Sequence, residues 1–600
     1  MTTTILNPRD IHFVLHEMLD VTTLTQLERF KDHDRNTFDA ALETARQIAE
    51  AHFRPHNRAS DLNEPRLADG RVEMIPEISQ ALNAFNEAGF TAASFDEADG
   101  GMQLPWVVAQ ACFAWFQAAN LSTTAYPFLT IAAANLLQRF ASTDQKRRYL
   151  APMLQGRFFG TMALSETQAG SSLDDIHTTA TLLGGGRYHL TGDKMWISGG
   201  AHQMSETIVH LMLARTKNAP PGVKGLSLFV VPRDRVANDG SVGSDNDVRV
   251  IGLNHKMGYR GTTNTVLSIG ERGDCIGELI GAEGQGLAYM FHMMNEARIG
   301  VGMGASALAA TGYLHALDYA RDRRQGRHPD DKSPDTSQVA LIEHADVRRM
   351  LLIQKAVGEG GLALGLYLAL LVDRKAEAAD QDACDKTSLL LDILTPIYKA
   401  YLSERALEAN DLAIQVLGGS GYTSDHPVEQ FYRDNRLNPI HEGANGIQAI
   451  DLLGRKVRQQ DGAAFRALID EMRATASAGP HDHLAEEASA LADALNRWET
   501  VTARLLEARS KIGDRAFLAN ASGYMTLAGH ITLAWIWLWQ AKVAVDVLDV
   551  TMEGPEADFY RGKLQTCRYV IRFDLPKIKP LADLLDQLDD TALTMQADWF

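Results

Sequence analysis

Three stretches of this chain carry residue types whose grouping can do chemistry. The most C-terminal runs Pro439-Ile440-His441-Glu442-Gly443-Ala444-Asn445-Gly446-Ile447-Gln448 and opens a helical pattern. Its carboxylate, Glu442, stands close to apolar Ile440 and beside a glycine, where burial would raise its pKa toward the range of a general base. An acid near a helix start also serves as a capping residue that complements the helix dipole. Both readings stay open on these residues alone. Upstream lie the glycine-rich Gln415-Val416-Leu417-Gly418-Gly419-Ser420-Gly421-Tyr422 and the pair Arg433-Asp434.

The second stretch, Gly160-Thr161-Met162-Ala163-Leu164-Ser165-Glu166-Thr167-Gln168-Ala169-Gly170-Ser171-Ser172, reads as a strand that runs into a loop of hydroxyl and glycine residues. Such a loop can bring N–H groups and hydroxyls close to a phosphate or a polar ring edge, because glycine adds no Cβ. An ordinary hydroxyl-rich turn has the same composition. The third stretch, Leu190-Thr191-Gly192-Asp193-Lys194-Met195-Trp196-Ile197-Ser198-Gly199-Gly200, reads as a hairpin turn leading into a strand. Period-two geometry puts Trp196 and Ser198 on one face, so the indole can pack on a ring system while the hydroxyl bonds its edge. A lone tryptophan in a strand is also an ordinary core residue.

The elements that position these stretches follow from periodicity. Residues 10–155 are helical, with apolar residues at three-and-four spacing over 38–51, 77–88 and 105–118. From 158 to 282, short β-branched or alternating runs divided by glycine turns predict a β domain. Helical periodicity resumes near Leu287 and continues to Gln459, broken by a polar loop over 326–337. A small-residue stretch over 474–480 precedes helices over 484–512 and 515–552 and a terminal stretch over 574–600. The predicted fold is mostly α with a central β domain, divided into 1–157, 158–282, 283–460 and 461–600. A chain of this length exceeds what one core usually serves. Its order is not the strand-helix alternation of a doubly wound sheet. Gly300-Val301-Gly302-Met303-Gly304-Ala305 mimics a dinucleotide-binding G-x-G-x-x-A, but it follows helix rather than strand, so close helix packing is the better reading.

Composition narrows the function. A formal charge of −18 and a pI near 5.5 disfavour a general binder of nucleic acid or anionic membrane. Residues 461–600 hold 14 Lys/Arg against 21 Asp/Glu and lack the basic footprint of a DNA-binding segment. Cys112, Cys275, Cys384 and Cys567 are scattered without a C-x-x-C pair, which argues against a disulfide framework and fits a reducing cytoplasm. No targeting pattern is read at the N-terminus, so the expectation is a cytoplasmic protein. The apolar stretch 531–541 is bounded by His530 and Lys542 and falls short of the ~20 residues of a membrane span. It is expected as a buried helix. His481-Asp482-His483 has no third ligand at suitable spacing, and no metal is predicted.

The segments ALSETQAGSS, KMWISGG, QVLGGSGY and IHEGANGIQ appear in the order and spacing of the acyl-CoA dehydrogenase family, and the resemblance spans roughly 35–457. NPRDIHFVLHEMLD and the added C-terminal helices further resemble the long bacterial subgroup that includes 3-methylmercaptopropionyl-CoA dehydrogenase and fatty acyl-CoA dehydrogenases. The resemblance implies an α domain, a β domain and an α bundle with an extra C-terminal helical domain, assembled as a homo-oligomer, dimeric at least, with one non-covalent FAD per subunit. It implies that Ser165 and the backbone around Met162 and Leu164 meet the flavin ring. Gly170 and Ser171 would lie near the pyrophosphate, with Trp196 and Ser198 flanking the ring. Arg323, Gln325, Gln415, Gly418 and Gly419 match positions that reach a neighbouring subunit's FAD, and Asn295 and Arg298 match positions near the CoA portion of the substrate.

By the same resemblance Glu442 is the catalytic base of an α,β-dehydrogenation that converts a fatty acyl-CoA to a trans-2-enoyl-CoA, with electrons passing to electron-transfer flavoprotein. Some relatives carry the base at the position of Ala297, which cannot do that work. Glu296 beside it is rotated about 100° around the helix and is expected to be solvated or paired. Ala444 replaces a common threonine, and His441 stands where many relatives have tyrosine. An acyl-CoA oxidase shares these motifs, and the subgroup resemblance at both ends and the lack of an S-K-L ending favour the dehydrogenase. A DNA-binding flavoprotein of the same fold is disfavoured by the acidic C-terminal segment.

Overall fold

The computed structural model describes residues 5–330, 333–477, 482–548 and 552–600. His481 lies outside them, so the His481-Asp482-His483 cluster is not placed. The chain condenses into two contact units, one formed by Glu28–Gly300 and the other by Met1–Leu27 with Val301–Phe600. Residues 5–27, expected with the N-terminal helices, share a contact unit with the helices after Gly300.

The Glu28–Gly300 unit begins with helices α1 (Arg35–Ile48), α2 (Pro76–Glu87), α3 (Trp106–Ala119) and α4 (Leu121–Phe140). Their starts follow from local chemistry. Asp34 and Thr37 form a reciprocal capping box for α1, Pro76 opens α2, and the Asn120 side chain caps α4 by accepting from the N–H of Thr123. Next comes an eight-stranded sheet of β1 (Phe158–Ala163), β2 (Thr179–Gly184), β3 (Arg187–Ser198), β4 (Thr207–Thr216), β5 (Leu226–Pro232), β6 (Val248–Leu253), β7 (Asn264–Ile269) and β8 (Ile276–Leu279). Its order is β6-β7-β3-β8-β5-β4-β1, with β2 paired to β3 and β4.

The sheet divides the core into two layers. Val209, Leu211 and Leu213 of β4 face a cluster containing Ala133 and Leu137 of α4, while Met212 and Ala214 face a cluster with Tyr188, Ile197 and Leu267. At Gly160 of β1 an added Cβ would sit 2.6 Å from the Ala133 Cβ, so the close approach of α4 to the sheet requires glycine there. A glycine turn lies at Gly184-Gly185-Gly186, all at positive φ, and β3 runs unbroken through Thr191-Gly192-Asp193, so the stretch from Leu190 to Ser198 holds no hairpin turn.

Helix α5 (Gly286–Asp322) begins in this unit and ends in the other. The second unit continues with α6 (Ala345–Ala376), α7 (Gln381–Leu417), α8 (Val428–Asn435), α9 (Asn445–Gly454), α10 (Ala463–Ser477), α11 (Ala485–Phe517), α12 (Ala521–Val547), α13 (Pro555–Tyr569) and α14 (Ile578–Asp586). Gly302 lies mid-helix in α5, where a Cβ would come within 2.5 Å of the Tyr398 ring of α7, which bears out the packing reading of the G-x-G-x-x-A mimic. The 531–541 stretch is the centre of α12 and is buried, as expected. There Trp537 donates from its ring nitrogen to the Ala356 carbonyl at 2.9 Å, and Tyr401 meets His530 Nδ1 at 2.9 Å. Among the described residues one helix, Ala345–Ala376, is long and apolar enough to cross a membrane, and 94% of its most apolar window is buried.

The N-terminal segment is tied to the C-terminal helices by charge and aromatic contact. Arg9 stacks over Phe559 with its guanidinium carbon 4.3 Å from the ring centre and pairs with Glu556. The buried Lys563 donates to Asp10, to Glu359 at 2.8 Å and to Gln540 at 2.9 Å. Burial and the neighbouring Glu359 push the Asp10 carboxyl up to about 6, against the pull of Lys563.

Candidate active site

The candidate residues form one set in each unit. In the Glu28–Gly300 unit, Met162 ends the buried face of β1, and Leu164 and Ser165 start the loop that follows. The loop is pinned from β3: Lys194 Nζ donates to the Leu164 carbonyl at 3.0 Å, and the Met195 N–H donates to the Ser165 carbonyl at 3.0 Å. The anchor is Glu166, whose carboxylate accepts from the N–H groups of His177 (2.6 Å) and Thr178 (3.1 Å), the Thr178 hydroxyl (2.5 Å) and Lys194 (2.9 Å). Burial pushes its carboxyl up, but Lys194 and these donors outweigh burial and hold it at about 2. For Lys194 burial wins over the attraction of Glu166, and its ammonium falls to about 8. Gly170 and Ser171 lie further along the loop, both exposed, with open space around the Gly170 Cα.

Trp196 sits on a bulge. Thr265 pairs with Ile197 and Leu267 with Lys194, so Val266 alone faces Met195 and Trp196. The extra residue takes a left-handed backbone, φ +65°, and its indole is 58% exposed. Such a conformation is costly for a bulky aromatic and signals a side chain re-aimed for a purpose. Ser198 is half-buried near it, and its hydroxyl accepts from Asn264 Nδ2 at 3.1 Å. Buried Ile197 lies between the exposed Trp196 and the half-buried Ser198. An exposed indole with a neighbouring hydroxyl, and an open glycine-serine loop, fit a flat ring system with a phosphate tail.

Asn295 and Arg298 lie on the first part of α5. Arg298 is buried and donates to Asn295 Oδ1 at 3.4 Å. Glu296 is paired, as expected, accepting from Asn135 Nδ2 at 2.8 Å. Glu296 and Ala297 help line a small cavity of about 30 Å³ with Trp106, Phe113 and Phe128.

In the second unit, Glu442 is half-buried in the turn between α8 and α9. Ala444 occupies the N-cap position of α9, so Glu442 stands two residues outside the helix and is not its cap. Glu442 (φ +53°) and Gly443 (φ +88°) are both left-handed. The turn is fastened to α7 through Lys399 and Asn445, neither of which the sequence motifs singled out for this purpose. His441 is held neutral, its imidazole pushed down to about 3 by burial and by Lys399, and its Nε2 meets Asn438 Oδ1 at 3.1 Å.

Arg323, Gln325, Gln415, Gly418 and Gly419 are all exposed. Tyr319 near the end of α5 donates to Ser420 at 3.3 Å, which brings the Arg323 end of that helix beside the glycine turn after α7. Open space surrounds Gly418 and Gly419.

Four family models match the chain in order: the acyl-CoA dehydrogenase N-terminal domain over 36–157, the middle domain over 161–270, the C-terminal domain over 284–457, and an acetyl-CoA dehydrogenase C-terminal-like domain over 468–596. The chain is 36% identical to the 3-methylmercaptopropionyl-CoA dehydrogenase of Ruegeria pomeroyi, over 93% of this chain and 94% of that protein. It is 32% identical to the broad-specificity linear acyl-CoA dehydrogenase FadE5 of Mycobacterium tuberculosis, over 98% of each. The fold is similar to an acyl-CoA dehydrogenase from Bacillus anthracis solved with FAD, with a TM-score of 0.73 at 18% identity over 97% of this chain and 93% of that one. The matches extend across both contact units and into the C-terminal helices, and the chain belongs to the acyl-CoA dehydrogenase family.

Proposed function

We propose that this protein binds FAD and oxidises a fatty acyl-CoA to the trans-2-enoyl-CoA, the first step of a β-oxidation-type sequence, acting on medium to long straight chains as a dimer or larger homo-oligomer. The observation that carries the reading is Glu442: an acid in a strained left-handed turn, outside the helix it precedes and held by a buried network, in a chain of this family. A left-handed acid whose turn is fixed by buried hydrogen bonds is a conformation the surroundings must hold in place.

Bound FAD would supply the acceptor for the β-hydrogen, taken as hydride. Trp196 and Ser198 would hold the ring, the loop through Ser165 its edge, and Gly170 and Ser171 the pyrophosphate; Arg323, Gln325, Gln415, Gly418 and Gly419 would serve the adenine side of a partner's cofactor. Glu442 takes the α-proton onto its carboxylate. Its backbone N–H donates to the thioester carbonyl and stabilises the charge that builds there as the proton leaves. Asn295 and Arg298 serve the CoA end. Electron-transfer flavoprotein is the proposed electron acceptor.

A second substrate reading is favoured by the 36% identity to 3-methylmercaptopropionyl-CoA dehydrogenase: a short, sulfur-bearing acyl group. Turnover with 3-methylmercaptopropionyl-CoA and octanoyl-CoA, comparing kcat/KM, separates the two. Measuring hydrogen peroxide during turnover in air tests the acceptor. Peroxide released with every turnover would make the protein an oxidase and defeat the dehydrogenase reading.

A further inference from the structure

Lys399 lies in α7 and is fully buried. Its ammonium donates to the carbonyl of Gly443 at 2.7 Å and to Asn445 Oδ1 at 3.1 Å. The first acceptor belongs to the residue directly after Glu442. Asn445 is itself locked, its Nδ2 donating to the Ala400 carbonyl (2.9 Å), the Ser403 hydroxyl (3.1 Å) and Glu404 Oε1 (3.0 Å), all on α7. Gln448 Nε2 donates to the carbonyls of Glu442 (3.2 Å) and Gly443 (3.3 Å).

We propose that Lys399 is the positioning residue of Glu442: its buried ammonium fixes the Gly443 carbonyl and, through Asn445, the start of α9, and so holds the carboxylate at one place. The inference rests on Glu442 being the base. A charge-assisted bond to a carbonyl is stronger than a neutral one, and an ammonium in the interior has no water to replace a lost acceptor. Of the conformations open to a Glu-Gly pair, the one that points the Gly443 carbonyl at Lys399 is therefore strongly selected. That selection is what a left-handed glutamate needs in order to persist. The neutral donor Gln448 reinforces the turn from α9, and Lys399 ties it to a separate element with a charge.

The test reads the base without any hydride step. A 3-thia acyl-CoA has an acidic α-position and sulfur where the β-carbon would be, so an enzyme base exchanges its α-proton with D2O but nothing is oxidised. Lys399→Met is expected to slow this exchange by about ten- to a hundredfold, the loss that follows when a reacting group is misplaced by about 1 Å. Affinity for the same ligand and FAD content should fall far less than the exchange rate, because of the residues proposed to bind them only the Glu442 N–H belongs to this turn. Lys399→Arg, which keeps the charge and a donor, should recover most of the rate. Exchange at the wild-type rate in Lys399→Met, or a rate loss matched by equal losses of ligand and flavin binding, would overturn the proposal. Glu442→Gln run alongside must lose exchange altogether; if it exchanges normally, the reading of the base fails instead. Should Lys399→Met not fold, Asn445→Ser removes one acceptor of the same ammonium, and a wild-type exchange rate in that variant is equally contrary.

Discussion

Lys194 Nζ lies 2.9 Å from Oε1 of Glu166, and both side chains are buried. The pair joins β3 to the loop after β1, and those two segments carry Ser165, Gly170, Ser171, Trp196 and Ser198. Removing one partner of such a pair leaves a buried charge without compensation, which costs about 3–5 kcal/mol. Lys194→Met should therefore lower stability by that order and yield protein depleted in FAD, measured by guanidinium unfolding and flavin absorbance per chain.

The same pair sets an acid limit. Glu166 is held at about 2 against an ordinary 4.5, so between these values the unfolded chain binds more protons than the native one. Its contribution to stability is complete above about 4.5 and drains away as pH falls toward about 2. Unfolding free energies across this window should fall with pH in the wild type and fall less steeply in Glu166→Gln.

At Trp196 backbone and function oppose each other. Trp196→Gly relieves a left-handed conformation worth about 1 kcal/mol or more of strain while deleting the exposed indole. The flavin-free variant should unfold at or above the wild-type temperature, yet its FAD dissociation constant, from fluorescence titration, should rise by at least about tenfold, the equivalent of one lost aromatic contact. Unchanged FAD affinity would show that the indole does not meet the cofactor.

The cluster of Asp10, Glu359 and Lys563 predicts a charge-specific rescue. Lys563→Met should destabilise the protein by about 3–5 kcal/mol, because two buried carboxylates lose their shared cation. Asp10→Asn added to it should restore part of the loss, since it removes the carboxyl whose pKa burial already raises. Denaturant unfolding of the single and double variants compares them directly.

Much of the site was legible from residue types. Glu442, Trp196 and the hydroxyl-glycine loop stand in contiguous motifs, and the helix-β-helix order shows in the periodicity. The missing parts share a physical cause: they depend on contacts between residues far apart in the chain. Lys399 and Lys563 look like ordinary helical lysines until the partner segment is known. Arg9 meets Glu556 across 547 residues, which no local pattern announces. The bulge at Trp196 hid for another reason. Left-handed bulge positions favour glycine, and a tryptophan there is held by the pairing of Lys194 and Ile197 with β7 on either side of it, not by its own preference.

The most direct test of the central claim is anaerobic bleaching of the purified protein's flavin absorbance by saturated acyl-CoAs from butyryl to stearoyl, with Glu442→Gln in parallel. The account predicts rapid, chain-length-dependent bleaching in the wild type and its loss by several orders of magnitude in Glu442→Gln, with acyl-CoA still bound, as expected for removal of a group used only in the transition state. A flavin that no acyl-CoA bleaches, or one that Glu442→Gln bleaches as fast as the wild type, would contradict it.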